Sequence, residues 1–147
     1  MAKKNVIRFD IQDELSFSLM AVSSGNKDYR LCFDLNKALG LHLVRDEDVT
    51  VPLTRPGSAT VHSCYSCSGT DGEQYYLVSN KDRNSTGYFV PEMTNINYFF
   101  VVSCEIGKRE ETALLNKLRQ IEIIQAAYPI VPASLKSAEA FLYLLEF

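Results

Sequence analysis

Ile96-Asn97-Tyr98-Phe99-Phe100-Val101-Val102 is the stretch that decides the fold. Asn97 apart, every residue in it is apolar and either β-branched or aromatic, with no alternation of polar and apolar positions. A strand with one wet face alternates; one that does not must be covered on both faces, so residues 96–102 predict a central strand with a layer on each side. The chain enters it through Tyr88-Phe89-Val90-Pro91-Glu92-Met93-Thr94-Asn95. Pro91 fixes φ and withdraws an N–H, which ends an extended segment, and Glu92 stands at the bend with a charge to be solvated, paired or used.

Downstream, Gly107 precedes residues 108–120, where Leu114, Leu115 and Leu118 share a helix face and Glu110, Glu111, Lys117 and Arg119 lie opposite or beside it. Acids in the first turn and a base in the last suit the helix dipole. Residues 121–128 read as another strand, which completes a β-α-β unit of the kind found in ferredoxin-like and related ligand-binding domains. Pro129 and Pro132 end that strand, and Ser134 is placed to cap a short last helix carrying Ala140-Phe141-Leu142-Tyr143-Leu144-Leu145.

Upstream, Ile7, Phe9, Ile11, Leu15, Phe17, Leu19 and Ala21 occupy odd positions, while Arg8, Asp10, Ser16 and Ser18 occupy even ones. This period of two predicts two strand segments broken near residues 12–14. After Gly25-Asn26 the spacing becomes helical over residues 27–39, with Leu31, Cys32, Leu35, Ala38 and Leu39 inward and Gly40 closing the last turn. Arg30 and Asp34 are one turn apart, a pairing that contributes ~0.3 to 0.5 kcal/mol when exposed. Residues 44–58 carry Asp46, Glu47, Asp48, Pro52, Pro56 and Gly57 without periodicity and read as a surface excursion. Residues 59–66 and 73–79 read as a hairpin turned at Asp71-Gly72, followed by a polar turn at 80–87. The sum is a single α+β domain over residues 1–147, with a largely antiparallel sheet, two main helices, a closing β-α-β unit and a short C-terminal helix.

A chain of 147 residues that is 46% hydrophobic can build one core without metal or disulfide support. Its large core pieces must be Phe and Tyr, eight of each, because Trp is absent. The net charge is −3, and the fifteen Lys and Arg cluster no more densely than Lys3-Lys4, Lys81/Arg83 and Lys108-Arg109, which excludes a nucleic-acid footprint. Arg8 and Asp10 interrupt any leader-like apolar segment, and no run reaches the ~18 apolar residues of a membrane span, so a cytoplasmic location is expected. Cys32, Cys64, Cys67 and Cys104 then stay reduced, and Asn84-Ser85-Thr86 is an ordinary loop.

Val90-Pro91-Glu92-x-x-x-Ile96-Asn97-Tyr98 resembles the signature of the uncharacterised bacterial family named for Ile-Pro-Glu-x-x-x-Val-Asp-Tyr (IPExxxVDY). Residues 27–40 are similar to that family's first-helix segment, and Ser134-Leu135-Lys136-Ser137 to its C-terminal one, so the resemblance spans most of the chain. Val90, Ile96 and Asn97 replace Ile, Val and Asp, and the last change removes a charge that a base or metal ligand would need. The family has no assigned activity, so the resemblance implies a shared fold and transfers no catalytic residue.

Several residues invite chemistry. His62-x-Cys64-x-x-Cys67 has zinc or redox character, but alternation along a strand puts His62 and Cys64 on one face and Cys67 on the other or in the turn. Glu92 near Tyr98 could form a proton-transfer pair; the plainer reading has Glu92 satisfying backbone amides around the Pro91 turn. Tyr29 and Arg30, with Asn36, could meet a ligand anion, against a plainer reading in which Tyr29 packs and Arg30 is solvated. Gly107 lies where small regulatory domains hold anions on helix-end amides. Phe141, Leu142, Leu144 and Leu145 form an apolar tail that either docks on a partner or packs on its own sheet. No Ser/His/Asp arrangement, phosphate loop or dinucleotide fingerprint is present, and no cofactor, metal ligand set or catalytic residue is assigned. The sequence favours a non-catalytic interaction or self-association module, as a homodimer or with a protein partner, using a sheet edge or the C-terminal tail. The alternatives are a small-molecule-binding regulatory domain of the ferredoxin-like or ACT-like kind, and an enzyme built on Glu92 and Tyr98.

Overall fold

The computed structural model describes residues 16–55, 57–84 and 87–145. The strand expected at residues 7–11, Leu15, Pro56 and the Ser85-Thr86 pair lie outside them. In chain order the elements are β1 (Ser18–Ser23), α1 (Asp28–Leu39), β2 (Val44–Arg45), β3 (Val49–Pro52), β4 (Ala59–His62), β5 (Cys64–Ser68), β6 (Gln74–Ser79), β7 (Tyr98–Val102), α2 (Lys108–Arg119), β8 (Ala126–Ile130), a 3-10 turn (Pro132–Ser134) and α3 (Ala140–Leu145).

All five residues of β7 are buried, as the unbroken apolar run requires. The strand lies inside a six-stranded antiparallel sheet of order β2-β5-β6-β7-β1-β8, and β3 and β4 form a separate hairpin. Both β7 and β8 pair antiparallel with β1, so they run parallel to each other with β1 between them, and α2 connects them. The expected β-α-β unit is therefore of the split kind.

Alternation along β7 and β1 divides the interior into two layers. Met20, Val22, Tyr98, Phe100 and Val102 face α1 and α2, meeting Leu31, Leu35, Leu115 and Leu118. Phe17, Leu19, Ala21, Phe99 and Val101 face the opposite way, where Phe89, Val90, Ile96, Phe141 and Leu144 cover them. The odd-numbered apolar positions of residues 17–21 do share a layer, but Met20, Val22 and even Ser18 are also buried because β1 has neighbours on both sides and layers above and below. Ser18 survives burial by donating to Cys104 O at 3.0 Å and accepting from Ile106 N at 3.0 Å.

The helices follow their patterns closely. α1 buries Leu31, Cys32 and Leu35 and ends at Gly40, whose φ of 68° is the left-handed conformation that glycine adopts without steric cost. Ala38 is exposed rather than inward, since it sits beyond the edge of the buried stripe. Asn36 is spent on the following loop, with Nδ2 donating to Leu43 O at 3.0 Å and Oδ1 accepting from Leu43 N at 2.8 Å.

Four sequence expectations require correction. Residues 44–58 are not a bare excursion: Val44–Arg45 pairs with β5, and Val49–Pro52 pairs with Ala59–His62. The acidic turn between them is structured by Asp48, which binds both Arg45 and Arg83, the latter at 2.6 Å. Of the expected hairpin only Cys64–Ser68 with Gln74–Ser79 holds, because the chain breaks at Ser63 and sends residues 59–62 to β3. Near the C-terminus, β8 begins at Ala126 and contains Pro129 instead of ending at it. An edge strand tolerates a residue without N–H, and Arg119 Nε also occupies Ala127 O at 2.9 Å, so this edge offers little to an incoming strand. Ser134 does not cap α3; it closes the 3-10 turn by donating to Val131 O at 2.6 Å.

Candidate functional site

The segment from Tyr88 to Tyr98 is organised by Asn80, which is fully buried at the end of β6. Its Nδ2 donates to Met93 O and Ile96 O, both at 2.8 Å, and its Oδ1 accepts from Val90 N at 2.8 Å. Its backbone adds two more ties, donating to Asn97 O at 2.9 Å and accepting from Phe89 N at 2.6 Å. One primary amide thus supplies the partners that an irregular buried segment needs, and Phe89, Val90 and Ile96 can enter the core without orphaned backbone groups.

Glu92 points outward from this segment and clasps the C-terminal region. Oε2 accepts from Lys136 N at 2.6 Å and Ser137 N at 3.0 Å, and Oε1 accepts from Ser137 Oγ at 2.7 Å. Burial pushes the carboxyl up, but the Ser137 hydroxyl and the surrounding amides outweigh it and hold Glu92 below the usual carboxylate range. Glu92 does satisfy backbone amides, although they lie more than forty residues away instead of around Pro91.

Asn97 and Tyr98 complete the connection to β1. Asn97 Oδ1 accepts from Ser24 N at 2.8 Å, an acceptor role that needs no charge. The Tyr98 hydroxyl donates to Asn26 O at 2.6 Å in the layer under α1. Burial first, then Asp28 and Tyr65, push its pKa to about 12. Glu92 and Tyr98 thus have separate partners, Glu92 with Lys136 and Ser137 and Tyr98 with Asn26.

No protein-family model and no curated protein matches this chain. The residues must therefore be read from their surroundings. Gly107 is the N-cap of α2 in ordinary extended geometry, with φ of −67°. Glu110 and Glu111 occupy the first turn, which places negative charge where an anion would otherwise sit. Of the tail residues proposed as an interface, Phe141 and Leu144 are core: Phe141 is fully buried against Phe17, Phe89 and Phe99. Leu142 and Leu145 are half-buried, and the tail packs on its own sheet.

The outer face of α1 departs from expectation. Tyr29 does not pack; it is 63% exposed, and Phe33 one turn later is 64% exposed. Arg30 is solvated and lies 3.8 Å from Asp34. Phe33 escaped the sequence reading, although its spacing four residues after Tyr29 on the face opposite Leu31 and Leu35 was the available signal.

His62, Cys64 and Cys67 do not converge. Cys64 is buried in the layer with Phe89, and Cys67 packs in the layer under α1. Burial, then Asp28 and Cys67, push the Cys32 thiol to about 11, which leaves it protonated and unreactive at neutral pH. His62 is fully buried against the edge of Phe89, with Nε2 2.9 Å from Thr60 Oγ1. Its Nδ1 finds no hydrogen-bond partner among the described residues.

Burial holds the His62 imidazole below its ordinary 6.5, against the opposing pull of the Ser79 backbone and Asp82. The unfolded chain therefore binds this proton more readily than the folded one. The contribution of His62 to stability is fully present above pH 6.5 and is lost as pH falls from there through the lowered folded value. Urea unfolding at about pH 7.5 and about pH 5.5 should give the lower midpoint in acid, and His62→Leu should narrow the difference. Equal midpoints in the unmodified protein would contradict a buried neutral imidazole.

Proposed function

We propose that this protein is a non-catalytic self-association module whose contact surface is the outer face of α1. The observation that carries the reading is the pair Tyr29 and Phe33, two aromatic side chains one turn apart that are each almost two-thirds exposed. Single exposed apolar residues are ordinary, but adjacent exposed rings on a helix that already buries its other face leave a hydrophobic stripe without a partner among the described residues. Burying one such ring is worth on the order of 2 kcal/mol.

A second copy of the chain is the occupant best suited to this face. An antiparallel pairing of two α1 helices about a twofold sets each Tyr29 against the Phe33 of its mate, and Arg30 and Asp34 give the helix charges of both signs one turn apart. The surfaces first favoured by sequence are less suited: the C-terminal tail is packed inside, and Pro129 and Arg119 blunt the β8 edge. Membership of the family with the Ile-Pro-Glu-x-x-x-Val-Asp-Tyr signature is proposed with this reading. Its signature residues would then be architectural, with Glu92 as clasp, Ile96 as core and Tyr98 as anchor.

Phe33→Glu tests the location of the contact. Light scattering should show the variant monomeric at concentrations where the unmodified protein is dimeric, with the melting temperature of the diluted monomer unchanged within about 2 °C because the side chain is not in the core. A variant that still dimerises would move the contact off α1.

A further inference from the structure

At the end of the sheet where β6 finishes and β7 begins, two adjoining cavities are lined by four cations, although the chain as a whole is acidic. Arg45, Lys81 and Arg83 line a cavity of about 400 Å³ together with Ser63, Ser79 and Tyr65. Lys27 and Lys81 line a second cavity of about 670 Å³, whose walls include Tyr88 and Tyr98. Ser79 and Lys81 belong to both, so the two chambers adjoin.

Asp28 lines the smaller chamber, and Asp48 is shared by Arg45 and Arg83. Four positive and two negative groups leave two positive charges in excess. Lys27 and Lys81 have no carboxylate partner among the described residues. Ser63 Oγ and Ser79 Oγ lie 2.7 Å apart, so one hydroxyl donates to the other and the second keeps a proton for a ligand acceptor. Arg45 is held over the Tyr65 ring at 5.6 Å and by Asp48, which fixes part of the lining before any ligand arrives.

We infer that this groove binds a phosphate monoester, with the phosphate among Lys81, Arg83 and Lys27 and the organic group in the larger chamber against Tyr88. A dianion matches the charge excess, hydroxyl and ammonium donors match phosphate oxygens, and an aromatic wall suits an attached apolar group. The groove adjoins the proposed α1 contact, since Lys27 and Asp28 precede Tyr29 at the N-terminal end of that helix, but Lys81, Arg83 and Tyr88 belong to the β6–β7 connection and not to α1.

The test uses the full chain, inorganic phosphate and phenyl phosphate, with sodium chloride at matched ionic strength as the control. Isothermal calorimetry should show saturable binding of phenyl phosphate, tighter than inorganic phosphate by about tenfold. Lys81→Ala, at the junction of the chambers, should weaken phenyl phosphate by about tenfold or more while the melting temperature of the unliganded protein is unchanged. Lys136→Ala, a cation outside both chambers, should leave affinity unchanged. The inference is overturned by absence of saturable binding, by equal affinity for the two phosphates, or by a Lys81→Ala variant that binds as the unmodified protein does.

Discussion

Asn80→Asp should lower the melting temperature by about 10 °C or more, a large effect for an isosteric change at a turn residue. Aspartate keeps one acceptor for Val90 N but loses both donors, so Met93 O and Ile96 O are left facing a carboxylate in a site with no solvent exposure. Each buried group stripped of its partner costs about 1 to 3 kcal/mol, and the carboxylate adds repulsion against two carbonyl oxygens. Acid should recover part of the loss, because a protonated aspartate regains one donor. Thermal denaturation of both proteins at neutral and mildly acidic pH measures this, and an unchanged midpoint would show that Asn80 does not hold the segment.

Phe141→Ala should cost about 3 to 5 kcal/mol. The Phe141 ring lies 5.5 Å from Phe17, 4.9 Å from Phe89 and 5.7 Å from Phe99, so it joins the two ends of the described chain to the segment on which Asn80 acts. Truncation leaves a cavity among rings that cannot collapse without moving β1 or β7. Tyr143→Ala, at a position that is 50% exposed on the same helix, should cost well under half as much. Urea titration of the two variants separates a core tail from a docking tail: comparable small losses at both positions would return the tail to the surface.

The contrast between these residues explains what sequence could and could not convey. The unbroken run of β7, the helical spacing closed by Gly40, and the Asp71-Gly72 turn each encode their structure within a few neighbouring positions, and each formed as expected. Gly72 adopts the positive φ of 85° that such a turn requires. Asn80 carries no comparable signal, because an asparagine in a polar stretch looks the same whether it is solvated or bonded to a buried segment ten or more positions further along the chain. The apolar tail was legible as hydrophobic, but its periodicity says nothing about whether its cover comes from its own sheet or from another molecule. Residues 44–58 were misread for a related reason: two- and four-residue strands are too short to show a period, and their pairing is set by partners at 59–66. The role of Glu92 was legible in kind and not in place, since its amide partners belong to a segment that only the fold brings near.

Sedimentation equilibrium of the unmodified full chain over a wide concentration series tests the proposed self-association most directly. The account predicts a reversible rise from the 16.6 kDa chain mass to twice that value. A mass that stays at 16.6 kDa up to about millimolar concentration, the range of the weakest specific association, would contradict it.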